Sequence, residues 1–131
     1  MTCFWDGILN RLTQEDYALV GFYPAKNPRE LIKLLQYLNR ETPCCTWNDT
    51  KISEKEIKEN FEHVRSFNPM SISDGYDCST SDPFLFLVSE LFSLEIHHTY
   101  LGRIMRYKPC CNVQTRRIIR FGSDHGHFFA M

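Results

Sequence analysis

Residues 82–100 read DPFLFLVSELFSLEIHHTY, and their hydrophobic pattern changes near residue 93. Up to Phe92 the segment is apolar on nearly every side, and Asp82-Pro83 is a typical start signal, so we expect a central helix over 84–92. From Leu94 to Tyr100 apolar residues alternate with more polar ones, as in a strand with one buried face. The pattern therefore predicts a buried helix followed directly by a strand.

Three further helices are predicted before this segment. The first begins at or just after Cys3, the second after the capping pair Asn27-Pro28, and the third after Ser53, with Glu56 in the capping-box relation. Apolar residues follow these starts at helical spacing. They are Trp5, Ile8, Leu9 and Leu12 in the first helix, Leu31, Leu34, Leu35 and Leu38 in the second, and Ile57, Phe61 and Val64 in the third.

Strands dominate the remainder of the chain. A turn at Gly102 separates Leu94 to Tyr100 from a predicted strand over 103–107, and further strands are expected over 116–121 and 126–130. Helices in the N-terminal two thirds and strands in the C-terminal third predict an α+β fold with a small antiparallel sheet. The 131 residues contain no internal repeat or evident linker, so we expect a single domain over 1–131.

The composition is that of a globular protein, with 43% hydrophobic residues and a formal net charge of -1. No basic segment precedes an apolar run at the N-terminus, and the longest apolar run, 84–88, is too short to span a bilayer, so we expect a cytoplasmic protein without membrane association. The basic stretch 103–120 is the one place where a polyanion could dock; the alternative, which the general exposure of charged residues favours, is that its arginines lie on the solvent faces of strands. The neutral total charge and the absence of a known DNA or RNA motif argue against nucleic acid as the partner.

The six cysteines are expected to be free thiols in a reducing compartment. Two pairs, Cys44-Cys45 and Cys110-Cys111, are directly adjacent and lack the spacing of about two to four residues that zinc ligands need. We therefore predict neither a metal site nor a cofactor. A zinc site built from distant cysteines with His97 or His98 is the alternative; within an alternating strand, a packed or hydrogen-bonded role for these histidines is the better interpretation.

Two segments have the residue types of a thiol hydrolase. Cys3 lies at the entrance of a helix, where the helix N-terminus favours a thiolate and backbone amides are placed to hold an oxyanion. Residues 122–128 bring His125 and His127 directly after a predicted strand, where a histidine is held rigidly enough to act as a general base. The two histidines fall on the same face of a strand, so the spacing does not choose between them.

These ends of the chain resemble the ovarian tumour (OTU) type deubiquitinases. The run Cys-Phe-Trp-Asp-Gly-Ile over 3–8 is similar to the family's nucleophile segment, in which a hydrophobic residue, an aromatic residue and a helix follow the cysteine. The order of the later parts is also similar: a helix over 31–38, an apolar helix over 84–92, a strand over 94–100, and a terminal histidine followed by an aromatic, His127-Phe128. The resemblance covers nearly the whole chain, although each motif is short.

The resemblance implies a papain-like thiol hydrolase that cleaves conjugates of ubiquitin or a ubiquitin-like modifier. Cys3 is then the nucleophile, His127 the base, and Asp124 the candidate orienting acid, with Asp6 on the first helix as its alternative. Compact members of the family are encoded by viruses, so the resemblance is compatible with a viral protein in the host cytoplasm or the virion.

Candidate substrate-binding residues lie in two places. Residues 71–81 form a loop by composition, and loops carry binding residues disproportionately, so Asp74, Tyr76 and Asp77 are candidates for gripping a substrate tail. Trp5, two residues after Cys3, is the fourth candidate.

The alternative function is a non-catalytic structural or interaction protein on the same fold, for example a virion component. Met1 and Thr2 occupy the positions where the OTU family carries an Asp-Gly-x segment that helps to form the oxyanion hole. This difference is the main sequence argument for the alternative.

Overall fold

A computed structural model describes residues 3–70, 78–109, 114–123 and 128–130. Within these ranges the chain forms an α+β fold in which helices pack on a mixed sheet. The helices are α1 (Cys3–Arg11), α2 (Gln14–Leu19), α3 (Pro28–Tyr37), α4 (Glu54–Ser66) and α5 (Cys78–Phe92). The strands are β1 (Thr46–Trp47), β2 (Thr50–Lys51), β3 (Leu94–Tyr100), β4 (Arg103–Lys108), β5 (Arg117–Ser123) and β6 (Phe128–Ala130).

Two predicted helix starts are confirmed at the level of individual hydrogen bonds. The side chain of Asn27 accepts a hydrogen bond from the backbone N–H of Glu30 at 3.0 Å, and Pro28 is the first residue of α3. The hydroxyl of Ser53 accepts from the N–H of Glu56 at 3.2 Å at the start of α4. Each bond satisfies a donor that the helix itself leaves unpaired, which is why these residue types mark the boundary.

Helix α2 was not predicted, although its start has a clear signal. The hydroxyl of Thr13 accepts from the N–H of Asp16 at 3.3 Å, and the Asp16 carboxylate accepts from the N–H of Thr13 at 2.8 Å. This reciprocal pair is a capping box. The spacing Thr-x-x-Asp is therefore what could have revealed this short helix.

The predicted start of the apolar helix is wrong. Helix α5 begins at Cys78, so Pro83 lies inside the helix instead of at its first turn. The prediction that this helix is central is confirmed, because every residue from Phe84 to Ser89 is buried. Among the described helices, none has both the length and the apolar composition that a bilayer span requires.

The sheet is mixed, which corrects the expectation of an antiparallel sheet from the C-terminal third. The strand order is β2-β1-β4-β3-β5-β6, and β3 pairs in parallel with β5, with Leu94 opposite Arg117 and Tyr100 opposite Ser123. The hairpin β3–β4 occupies one side of β3, so β5 pairs with the other side. The chain between β4 and β5 returns to the start of β3 before β5 begins, and β5 therefore runs in the same direction as β3. The remaining strand pairs are antiparallel.

Two of the strands come from the middle of the chain and were not predicted. The strands β1 and β2 form a short antiparallel hairpin, and β1 extends the sheet beyond β4. Asn48 and Asp49 form its turn with positive φ values of 50° and 64°, a conformation that these residue types adopt more readily than most. Asn48 also accepts a hydrogen bond from the N–H of Arg106 at 2.8 Å, which fixes the hairpin on β4.

The core lies between the helices and one face of the sheet. On β3, Leu94, Ile96 and His98 are buried, while the alternate residues are only partly buried. Burial of each large apolar side chain contributes about 1.5–3 kcal/mol to stability, so this row of contacts is a main source of folding free energy. The predicted alternation along 94–100 is thus confirmed.

Candidate active site

The predicted nucleophile is the first residue of α1. Phe4, Trp5 and Ile8 are all at most 5% exposed, so the helix is anchored by one apolar face and its N-terminus has a fixed position in the fold. The side chain of Cys3 itself lies outside the described part of the structure. What the structure supplies at this end is the N-terminus of a helix, whose dipole favours negative charge.

The predicted base, His127, lies outside the described residues, but both strands beside its segment are described. Strand β5 ends at Ser123, strand β6 begins at Phe128, and these two residues are opposite each other in an antiparallel pair. The segment 124–127 therefore connects two paired strands. The residue that follows His127 in the chain is held in the sheet.

The first helix and the last described strand are adjacent in the fold, because α1 packs against β6. Cys3 is the first residue of the helix in this contact, and His127 directly precedes the strand. They are separated by most of the sequence, so only tertiary structure brings their elements together. A thiol site needs its nucleophile and its base within hydrogen-bond reach, and the contact between α1 and β6 describes the two elements, not the distance between Cys3 and His127.

The remaining predicted site residues divide into two groups. Asp124, the alternative base His125, and the predicted substrate-binding residues Asp74, Tyr76 and Asp77 lie outside the described residues. Asp6, the alternative acid, is exposed in the first turn of α1.

Trp5 is described, and the structure places it in the core. It is 4% exposed, and its ring lies 4.9 Å from Phe4, 4.6 Å from Phe84 and 5.9 Å from Phe67, measured between centroids. The contacts with Phe4 and Phe84 are edge-to-face, a geometry that stabilises aromatic clusters. Its observed role is packing, and a substrate contact by Trp5 stays a prediction that this burial does not favour.

A histidine and a serine meet at the end of β5, directly before the segment that contains the predicted base. Nε2 of His98, on β3, lies 2.6 Å from the hydroxyl of Ser123, the last residue of β5. His98 is 1% and Ser123 4% exposed, so the pair has no surface for a substrate, and its observed role is to join the two strands. Burial lowers the pKa of His98 to about 4, so the imidazole is neutral at physiological pH. The predicted hydrogen-bonded role of His98 is confirmed.

The other histidine of that strand is also engaged. Nε2 of His97 forms a short contact with the carboxylate of Glu95 on the opposite face of β3 from His98. The predicted hydrogen-bonded role of His97 is therefore confirmed as well. No group of three or more metal-ligating side chains was found among the described residues.

A buried carboxylate on α2 binds two arginines at the start of β5, one of which also binds the end of α1. Asp16 is fully buried and accepts hydrogen bonds from Arg116 at 2.5 Å and Arg117 at 2.7 Å. Burial alone would raise the pKa of Asp16, but the bonds from Arg117, the Thr13 amide and Arg116 lower it to about 2. Arg117 also donates to the backbone oxygen of Arg11 at 2.5 Å. This cluster fixes the end of α1 relative to β5, and no local pattern in the sequence indicated it, because its members are about 100 positions apart.

Cys45, in the core, is a poor nucleophile. Cys45 is fully buried, with its sulfur 3.8 Å from the carbonyl oxygen of Phe86 and 3.7 Å from a carboxylate oxygen of Glu90. Burial and then the neighbouring charge of Glu90 raise the pKa of Cys45 far above that of an ordinary thiol, so it stays protonated. Cys44 is exposed, and both are free thiols.

Comparison of this chain with protein-family models, curated proteins and solved structures gives no match in any of the three.

Proposed function

We propose that the protein is a cysteine hydrolase of the OTU type that cleaves conjugates of ubiquitin or a ubiquitin-like modifier. The observation that supports this most directly is the packing of α1 against β6, since these elements flank the predicted nucleophile and base. The resemblance of the same two segments to the OTU family supplies the substrate class. Neither a metal nor a cofactor is needed for this chemistry.

In the proposed mechanism His127 takes the proton of the Cys3 thiol. The thiolate attacks the carbonyl carbon at the modifier's C-terminus, and backbone amides at the N-terminus of α1 stabilise the oxyanion. The C–N bond then breaks, the amine leaves with the proton from His127, and a thioester remains on Cys3. Water, activated by His127, hydrolyses the thioester and restores the thiol. Asp124 is the proposed orienting acid.

A ubiquitin probe with a thiol-reactive C-terminal warhead tests this proposal. The wild-type protein is expected to form a stable adduct that maps to Cys3 by mass spectrometry, and Cys3→Ala is expected to form none. Cys44→Ala is the matched control, because it removes an exposed thiol elsewhere on the surface. A folded protein without an adduct at Cys3 would refute the proposal.

Comparison of the two histidines sharpens the same experiment. His127→Ala is expected to slow adduct formation by about a hundredfold or more, the usual contribution of a general base, whereas His125→Ala is expected to leave the rate nearly unchanged. The reverse result would assign the general base to His125 and would leave the proposed reaction unchanged.

The second candidate function is binding of such a modifier without cleavage, and one surface favours it. Tyr23 and Tyr37 are 92% and 77% exposed and, with Phe22, line a shallow apolar cavity of about 330 Å³ beside α3. Exposed aromatic clusters are typical of protein interaction sites. Saturable binding of unmodified ubiquitin that is lost in Tyr37→Ser, together with no adduct at Cys3, would favour this function.

A further inference from the structure

A polar cavity of about 400 Å³ lies between the C-terminal end of α1 and the first part of β5. Three arginines, Arg11, Arg117 and Arg120, line it, and the described lining residues include no acid. Asn10 and Thr13 add an amide and a hydroxyl. Its volume is within the range of small-ligand sites, and its donors match an anion with several oxygens.

The guanidinium of Arg117 is held in place by the protein. It donates one hydrogen bond to Asp16 at 2.7 Å and one to the backbone oxygen of Arg11 at 2.5 Å. A guanidinium has five N–H groups in a fixed plane, so further donors of Arg117 remain for a ligand. Because its orientation is already set, little side-chain entropy is lost when an anion binds.

The local charge is positive. The single carboxylate of Asp16 is shared by Arg116 and Arg117, so it balances only one of these two cations. Arg120 is exposed and forms no ion pair with any described residue. An anion at this place would therefore meet uncompensated guanidinium charge.

The backbone of β5 adds donors of a second kind. Strand β6 pairs only with residues 121–123, so within the described chain the outer edge of residues 117–120 has no partner strand. Every second residue on such an edge directs its N–H outward, beside the cavity.

We propose that this cavity binds the phosphate group of a phosphate-bearing ligand, with Arg11, Arg117 and Arg120 as its cationic contacts. Phosphate carries more charge and more acceptor oxygens than a carboxylate, which suits three guanidiniums better than one carboxylate would. The nine residues of α1 place Arg11 about 12 Å along the helix from Cys3, so the site is separate from the proposed hydrolase site. The proposal of a phosphate site is therefore independent of the proposed hydrolase function.

Calorimetric titration at constant ionic strength tests the proposal with four probes: inorganic phosphate, a nucleoside monophosphate, a short single-stranded oligonucleotide and acetate. Phosphate and the monophosphate are expected to bind saturably, and acetate at least about tenfold more weakly. Tighter binding of the oligonucleotide per phosphate would identify a nucleic acid as the source of the group, and tighter binding of the monophosphate would identify a free ligand; either result supports a phosphate site.

Substitutions of single arginines test whether phosphate binds in this cavity. Arg120→Gln and Arg11→Gln are each expected to weaken phosphate binding about tenfold, while Arg29→Gln, which removes an exposed arginine on α3, is expected to leave it unchanged. Arg117 is not substituted, because its loss would break the ion pair with buried Asp16. Circular dichroism confirms that each variant is folded. Three results would each overturn the proposal: no saturable phosphate binding, an equal affinity for acetate, or an equal loss in Arg29→Gln.

Discussion

The imidazole of His98 is hydrogen-bonded to the hydroxyl of Ser123, with 2.6 Å between Nε2 and Oγ. This bond joins β3 to the last residue of β5 in the core. Ser123 is also opposite Phe128 in the β5–β6 pair, so the same contact supports the strands on both sides of the segment that carries His127.

We predict that His98 makes stability fall as the pH decreases from about 6.5 to about 4. Its pKa is about 4 in the folded protein, because burial disfavours the charged ring, and about 6.5 in an unfolded chain. Between these values the unfolded state binds a proton and the folded state does not, so up to about 3 kcal/mol of stability is lost in this range. Urea unfolding at several pH values checks this. His98→Gln is expected to remove that part of the slope, and an unchanged slope would contradict the prediction.

Asp16→Asn is predicted to destabilise the protein by about 3–5 kcal/mol, because two partly buried arginines lose their only carboxylate partner among the described residues. The pKa of Asp16 is lowered to about 2, so its ion pairs stabilise the protein above about pH 4 and are lost between about pH 4 and pH 2. Chemical unfolding measures the loss. Glu15→Gln, at the exposed neighbouring position, is the control and should change stability by less than about 0.5 kcal/mol. A similar loss in both variants would show that the buried pair has no special role.

The adjacent thiols of Cys44 and Cys45 are predicted to react at very different rates. Cys44 is exposed, whereas Cys45 is fully buried and has a raised pKa, so alkylation of Cys45 requires local unfolding. Iodoacetamide labelling followed by peptide mass spectrometry should show Cys45 at least about a hundredfold slower in native protein and at a similar rate in urea. Equal native rates would contradict the burial of Cys45.

Trp5→Ala is predicted to cost about 3–5 kcal/mol of stability, as expected for a large aromatic side chain removed from a packed cluster. Tyr23→Ala, at a 92% exposed position, should change the free energy of unfolding by less than about 0.5 kcal/mol.

A second variant, Trp5→Phe, keeps an aromatic ring in the core and distinguishes a packing role of Trp5 from a substrate contact. If Trp5 only packs, the folded Trp5→Phe protein reacts with the ubiquitin probe at the wild-type rate. A large rise in the probe concentration needed for half-maximal rate, without loss of stability, would instead restore the predicted substrate role.

The sequence predicted best those features that neighbouring residues determine. The caps at Asn27 and Ser53 work within one helical turn, and the alternation along 94–100 reflects a single strand on a single surface. Predictions were poorer where local signals compete. Pro83 suits the first turn of a helix, yet burial of the apolar segment that follows is compatible with a helix that begins earlier, at Cys78.

The sequence alone determined the α+β class, the main helices and the strand residues of the core, because hydrophobic periodicity and capping are local properties of the chain. Only the tertiary structure decided that β5 pairs in parallel with β3, that Arg117 neutralises Asp16 across 101 positions, and that α1 lies against β6. These are contacts between distant segments, chosen by the joint packing of all elements, and no short window of residues contains them. Such contacts place α1, which begins at Cys3, beside β6, which begins at Phe128.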